Sequence, residues 1–180
     1  MAQMSAFERA TIVWKMEARS LNKLMKMDEQ AFNEVVKAIV DCKKRGGRLL
    51  LTGKSTSGAV AKKVAHSLCC VDIPAIYIPL GDGENASMGL VQKGDLVILF
   101  SKGGSTKEVL RLISSYQEKG AKIVGVTNNP ASPLALRSDI LMRVPVEREV
   151  DENNNLATAS TITMISAFDA VAVAILDGCE

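Results

Sequence analysis

The sequence predicts an α/β fold: a three-layer, doubly wound, mainly parallel five-stranded sheet with an N-terminal helical extension. Three observations predict it. From Arg48 onward, short apolar runs alternate with amphipathic segments. The runs are apolar throughout, the habit of strands covered on both faces in βαβ units. Residues 5–45, by contrast, have helical periodicity and no Pro or Gly before Gly46.

In chain order, Ile12, Met16, Leu21, Leu24, Met25 and Met27 give one apolar set, and Phe32, Val35, Val36, Ile39 and Val40 the next. Asp28 reads as the N-cap between the two helices, and Gly46-Gly47 as the close of the second. Strands follow at Leu49–Thr52, Ala75–Ile78, Asp95–Phe100, Lys122–Thr127 and Ile140–Val144. The segments between them read as helices at Ser57–Cys70 and Ser105–Lys119, with shorter turns at Asn85–Val91 and Pro133–Arg137. A long helix, Ser160–Leu176, closes the chain. No internal repeat and no long linker divides this pattern. Residues 1–46 are therefore expected to join 47–180 in one domain, with the Met-rich first helix either in the core or against a partner subunit.

Composition narrows the function. The 180 residues are 47% apolar, 23% charged and 4% aromatic, with a net charge of +2. Without a basic stripe or an aromatic stacking platform, nucleic-acid binding is disfavoured. The N-terminus lacks the pattern of a secretory signal, and no run of about 18 uncharged apolar residues implies a membrane span. Cys42, Cys69, Cys70 and Cys179 have neither metal-ligand spacing nor the setting of a disulfide framework. A cytoplasmic protein with reduced thiols and no bound metal or organic cofactor is expected.

In such a sheet, ligands bind beyond the carboxyl ends of the strands. Two βα turns there have unusual composition: Gly53-Lys54-Ser55-Thr56-Ser57-Gly58 and Ser101-Lys102-Gly103-Gly104-Ser105-Thr106. Glycine permits close approach of the backbone, and hydroxyls and N–H groups at a helix N-terminus donate to an anion. Neither turn has the G-x4-G-K-[ST] or G-x-G-x-x-G spacing of a nucleotide site. Ser, Thr and Gly are also ordinary turn and N-cap residues, which is the plainer account of the same composition.

Beyond the two turns come Gly89, Gly120-Ala121, Asn129-Pro130, Ser132-Pro133-Leu134-Ala135, Val146-Glu147-Arg148-Glu149, Thr158 and Ser160-Thr161. In that order and spacing, the chain resembles the SIS (sugar isomerase) domain family over nearly its whole length. It is most like the single-domain region of arabinose 5-phosphate isomerases. The resemblance implies a flavodoxin-like sheet and a sugar-phosphate ligand at the strand ends. It also implies a homodimer or homotetramer with sites shared between subunits. The tandem CBS pair that many of those enzymes carry after this domain is not among these 180 residues. Where those enzymes have lysine before the Ser-Gly of the first turn, this chain has Thr56. Where they have histidine in the third connection it has Asn85, and where many have glutamate in the second turn it has Ser105.

Aldose–ketose isomerisation needs a base to move a proton between adjacent carbons and groups that polarise the carbonyl. Glu84, Glu149, Asp151 and Glu152 qualify by position, with Glu152 the first choice; residues 147–152 read equally as a solvated loop. His66, the only histidine, sits mid-helix, either facing solvent or reaching a neighbouring subunit's site. Lys54 and Lys102 lie within the turns, where an ammonium meets a phosphate or a sugar oxygen. Gly53, Ser55, Thr56, Ser57, Asn85, Ser101, Gly103, Ser105 and Thr106 are the expected ligand contacts. The sequence leaves two functions standing: a sugar-phosphate isomerase, and a non-catalytic sugar-phosphate sensor using the same site.

Overall fold

In a computed structural model describing residues 4–80 and 89–179, helices α1 (Ala6–Asn22) and α2 (Glu29–Lys44) precede the sheet. A 3-10 turn, Lys23–Lys26, separates them. Ser5 and Glu8 form a reciprocal capping box on α1, and Asp28 accepts from the Ala31 amide at 3.1 Å to cap α2. Gly46, at φ +74°, ends α2 in the left-handed conformation that glycine adopts without strain. Gly47 then passes so close to Cys42 and the Gly94 carbonyl that a Cβ there would stand 2.6 Å from the latter.

The strands are β1 (Leu49–Gly53), β2 (Ala75–Tyr77), β3 (Leu96–Phe100), β4 (Lys122–Thr127) and β5 (Ile140–Arg143). All neighbours pair in parallel, in the order β2-β1-β3-β4-β5. The remaining helices are α3 (Thr56–Cys70), α4 (Lys107–Glu118), the single turn α5 (Pro133–Arg137) and α6 (Ala159–Leu176). The expected sheet and its five strands are present, with boundaries shifted by a residue or two. The largest shift is at α4, which begins at Lys107 because Ser105 and Thr106 stay outside the helix.

Side chains alternate across the sheet, as a period of two requires. Leu49, Leu51, Leu96, Ile98 and Phe100 enter a core shared with α2, α3 and α6. Leu50, Val97, Leu99 and Ile123 enter the opposite core with Val109, Leu112, Ile113 and Tyr116 of α4. Every residue of β1 and β3 is buried, which explains why both strands read as unbroken apolar runs. Phe100 meets Phe168 of α6 with ring centroids 5.1 Å apart, a contact worth about 0.5–1.5 kcal/mol beyond the area buried. That contact fixes α6 beneath the carboxyl end of β3. Among the described helices, α6 alone is long and apolar enough to cross a membrane by length and composition. Its inner face, including Met164, Ala167, Phe168 and Val171, packs in the core.

Candidate functional site at the strand ends

Strand order reverses between β1 and β3, and that switch point is where an open parallel sheet opens a crevice. Gly53 pairs in register with Phe100, so the two Ser/Thr/Gly turns leave the sheet side by side. Gly53 lets α3 start directly over the strand end: a Cβ there would stand 2.7 Å from the Ser57 carbonyl oxygen. Gly58 serves the same approach from the helix side, since its Cβ would meet the Gly53 carbonyl at 2.7 Å. The backbone turns sharply at Ser55, with φ +53° and ψ −124°, a conformation that costs a residue with a Cβ.

The second turn is tied down from within and from the next strand. Ser101, buried, lies 2.8 Å from the Thr106 hydroxyl and accepts from the Gly104 amide at 3.1 Å. Gly104, at φ +70°, presses on Ser132; a Cβ there would stand 2.0 Å from its Oγ. The Lys102 carbonyl accepts from Thr127 Oγ1 and from the Asn128 amide, both at 2.9 Å. Gly103 and Ser105 are exposed.

The helix starts at this crevice differ from three of the other four; the fourth, α6, has no bond from its own N-cap residue Thr158 and is closed by Glu149 instead. Away from it, α1, α2 and α5 are capped by the side chains of Ser5, Asp28 and Ser132. At it, α3 and α4 begin at Ser55 and Thr106, and neither side chain bonds back to its helix. The reading of these hydroxyls as simple N-caps therefore does not describe them. Two helix N-termini, each with partial positive charge, face the switch point without a capping side chain.

Charged residues brace its rim. Lys54, half exposed, forms an ion pair with Glu108 in the first turn of α4, joining the two turns. This pair holds the Glu108 carboxyl below the ordinary carboxylate range. Lys102 forms another with Glu149, its Nζ 2.7 Å from Oε1. Glu149 is only 1% exposed, although it lies in the charged 147–152 run. Its Oε2 accepts from the amides of Thr158, at 3.0 Å, and Ser160, at 3.1 Å, so the carboxylate closes the start of α6. Burial alone would raise its pKa; the Lys102 ammonium and the Ser160 and Thr158 donors outweigh burial and hold it below the ordinary value.

The other expected residues are dispersed. Glu152 is exposed, and its main-chain carbonyl accepts from Arg148. His66 is exposed on α3, about 15 Å along the helix from Thr56 at 1.5 Å per residue, with Cys70 Sγ 3.8 Å from its Nε2. Asn85 and Glu84 lie outside the described residues. Asn128 turns its side chain to the Val146 backbone, with which its amide group exchanges two 2.9 Å hydrogen bonds. The Lys102–Glu149 pair was not legible in the sequence, where nothing separates Glu149 from its acidic neighbours. The one local hint is that Val146 and Val150, which flank it, are apolar; they pack with Ala159 and, from α1, Val13 and Met16. Among the described residues, no three His, Cys, Asp or Glu side chains converge as metal ligands would. A cavity of about 480 Å³ lies elsewhere, between Lys26, Asp28, Pro130 and Arg143.

The geometry defines a class: a doubly wound α/β protein with an anion-receptive crevice at its switch point. The chain belongs to the SIS domain family, whose model matches residues 42–174. It is 31% identical over 159 residues to the arabinose 5-phosphate isomerase KpsF of Escherichia coli, a match covering 88% of this chain and 49% of that protein. A Listeria monocytogenes structure, described as a candidate sugar-phosphate isomerase, superposes with a TM-score of 0.92 at 37% identity. That match covers 98% of this chain and 93% of the other. A protein of Escherichia coli CFT073, solved in complex with arabinose 5-phosphate, shares the fold with a TM-score of 0.91 at 24% identity, over 98% and 93% of the two chains. The chain spans about half the length of the curated relatives it matches.

Proposed function

We propose that the chain binds a sugar phosphate at the switch point and interconverts aldose and ketose forms of it, in the manner of an arabinose 5-phosphate isomerase. The observation that carries the reading is the pair of helix starts, α3 and α4, that meet at the crevice without side-chain caps. A phosphate there takes up main-chain N–H groups and gains from both helix dipoles. Ser55, Thr56, Ser57, Ser101, Ser105 and Thr106, with the Gly103 backbone, supply its contacts. Lys54 polarises the sugar oxygen, and Glu152 moves the proton between C1 and C2. Homologues named as isomerases support the substrate class.

A homodimer or homotetramer completes the site in this reading, with His66 reaching a neighbour's crevice. It is supported by Phe7 and Trp14, which stack edge to face on α1 and stay 72% and 56% exposed. A non-catalytic sensor is the second reading. It is favoured by two carboxylates at the turns, Glu108 and Glu149, which are both committed to lysines. Thermal-shift screening against pentose and hexose phosphates identifies the ligand, and incubation of the best binder in D2O follows proton exchange at C1 and C2. Exchange with isomer formation is expected. Binding without exchange leaves the sensor, and no stabilisation by any sugar phosphate removes both readings.

A further inference from the structure

Two segments leaving the carboxyl edge of the sheet converge on Lys102, in the turn that follows β3. Its backbone carbonyl is held by Thr127 Oγ1 and the Asn128 amide at the end of β4, both at 2.9 Å. Its ammonium is held by Glu149, in the segment after β5, at 2.7 Å. Glu149 is itself fixed at each end: Asn154 Oδ1 accepts from its amide at 2.6 Å, and its carboxylate takes the Thr158 and Ser160 amides. The carboxylate is buried, while the lysine side chain keeps 34% of its surface in solvent at the lip of the second turn.

Burial of the carboxylate is compensated by the Lys102 ammonium and the Thr158 and Ser160 amides. Restraint of the lysine is a separate cost. An exposed lysine in a Gly-Gly-Ser-Thr turn would otherwise roam through many rotamers, and immobilising it costs further entropy. What the arrangement achieves is direction. A lysine left free would reach an anion only by giving up that freedom on binding; a lysine already held meets it pre-organised. Glu149 Oε1, 2.7 Å from the ammonium, engages one of its three N–H groups and leaves the other two to turn to a ligand.

We infer that Lys102 is the cationic contact of the second turn for the ligand's phosphate, and that Glu149 is its positioning residue. The inference rests on the phosphosugar reading above and adds to it a division of labour. The turn hydroxyls and helix amides bind the anion as dipoles, and Lys102 binds it as a charge whose place Glu149 sets. Glu149 acts through Lys102 and touches no substrate.

Calorimetric titration of the full chain with D-arabinose 5-phosphate, D-ribose 5-phosphate and D-glucose 6-phosphate tests this in four proteins: wild type, Lys102→Gln, Glu149→Gln and the double variant. Glu149→Gln keeps an oxygen to accept the Thr158 and Ser160 amides. The double variant leaves no buried charge unpaired, so a folded chain lacking Lys102 is available even if Lys102→Gln alone is unstable. Each single change is expected to weaken binding of the best sugar phosphate about ten- to hundredfold, as loss of a charge-assisted contact does. The double variant is expected to bind no more weakly than Lys102→Gln. Losses that multiply across the two changes, or a Glu149→Gln chain that binds as well as wild type, overturn the positioning role. A wild type that binds while every variant binds equally well defeats the pair alone. A wild type that binds none of the three sugars defeats the phosphosugar reading and the pair's role with it.

Discussion

Ser55 holds the least comfortable backbone among the described residues of the crevice. The pair φ +53° and ψ −124° is sparsely populated by residues with a Cβ, a strain of about 1–3 kcal/mol. Its hydroxyl does not cap α3, so the strain is not offset by a local hydrogen bond to the helix. Ser55→Gly removes that strain but adds about 0.5–1 kcal/mol of chain entropy to the unfolded state. The difference favours the variant: thermal unfolding should show a higher Tm, by a few degrees at most for a chain of this size. The same chain should bind sugar phosphate more weakly if the Ser55 hydroxyl is a ligand contact. A lower Tm would mean that the neighbours enforce the turn without strain at this residue.

At the scale of elements, the N-terminal helices show what a sequence carries by itself. The Asp28 cap and the Gly46 stop were both readable because each is a local device, one side chain or one φ angle acting on the adjacent turn. Asp28→Ala should therefore cost about 1 kcal/mol of stability in urea denaturation, with the slope of the transition unchanged. A loss near zero would show that packing of Val35, Val36 and Ile39 alone holds α2 in place. The unbroken apolar runs at 49–51 and 96–100 were equally legible, because two covered faces remove the need for polar residues. The start of α4 was not. Ser105 and Thr106 look like helix-opening residues, yet Thr106 spends its hydroxyl on Ser101 and the helix begins after it. Nor was the fate of Glu149 legible. Its burial depends on α1 closing over the segment from 146 to 150, a contact between residues more than a hundred positions apart that leaves no periodic trace.

Across the whole molecule, two buried carboxylates pin the two edges of the sheet. Asp95, 4% exposed, sits before β3 at the amino edge and Glu149 sits beyond β5 at the carboxyl edge. At Asp95, burial works to raise the pKa. Its bonds to the Arg48 side chain, at 2.7 Å, and to the amides of Arg48 and Gln92 prevail and hold it below the ordinary value, as happens at Glu149. A carboxyl group with a lower pKa folded than unfolded contributes stability that is complete above the unfolded value, about 4. That contribution disappears as pH falls through the lower, folded value. Stability should thus be level from neutral pH down to about pH 5 and fall steeply below it, because the unfolded chain takes up protons that the folded chain refuses. Asp95→Asn and Glu149→Gln should each lower the plateau, since each leaves a cation without its partner, and each should make the acid decline shallower. Urea titrations at a series of pH values would separate the two effects. If a chain carrying both Asp95→Asn and Glu149→Gln loses stability in acid as steeply as the wild type, the decline arises from the exposed pairs, such as Lys54–Glu108, and not from the two buried groups that anchor the sheet.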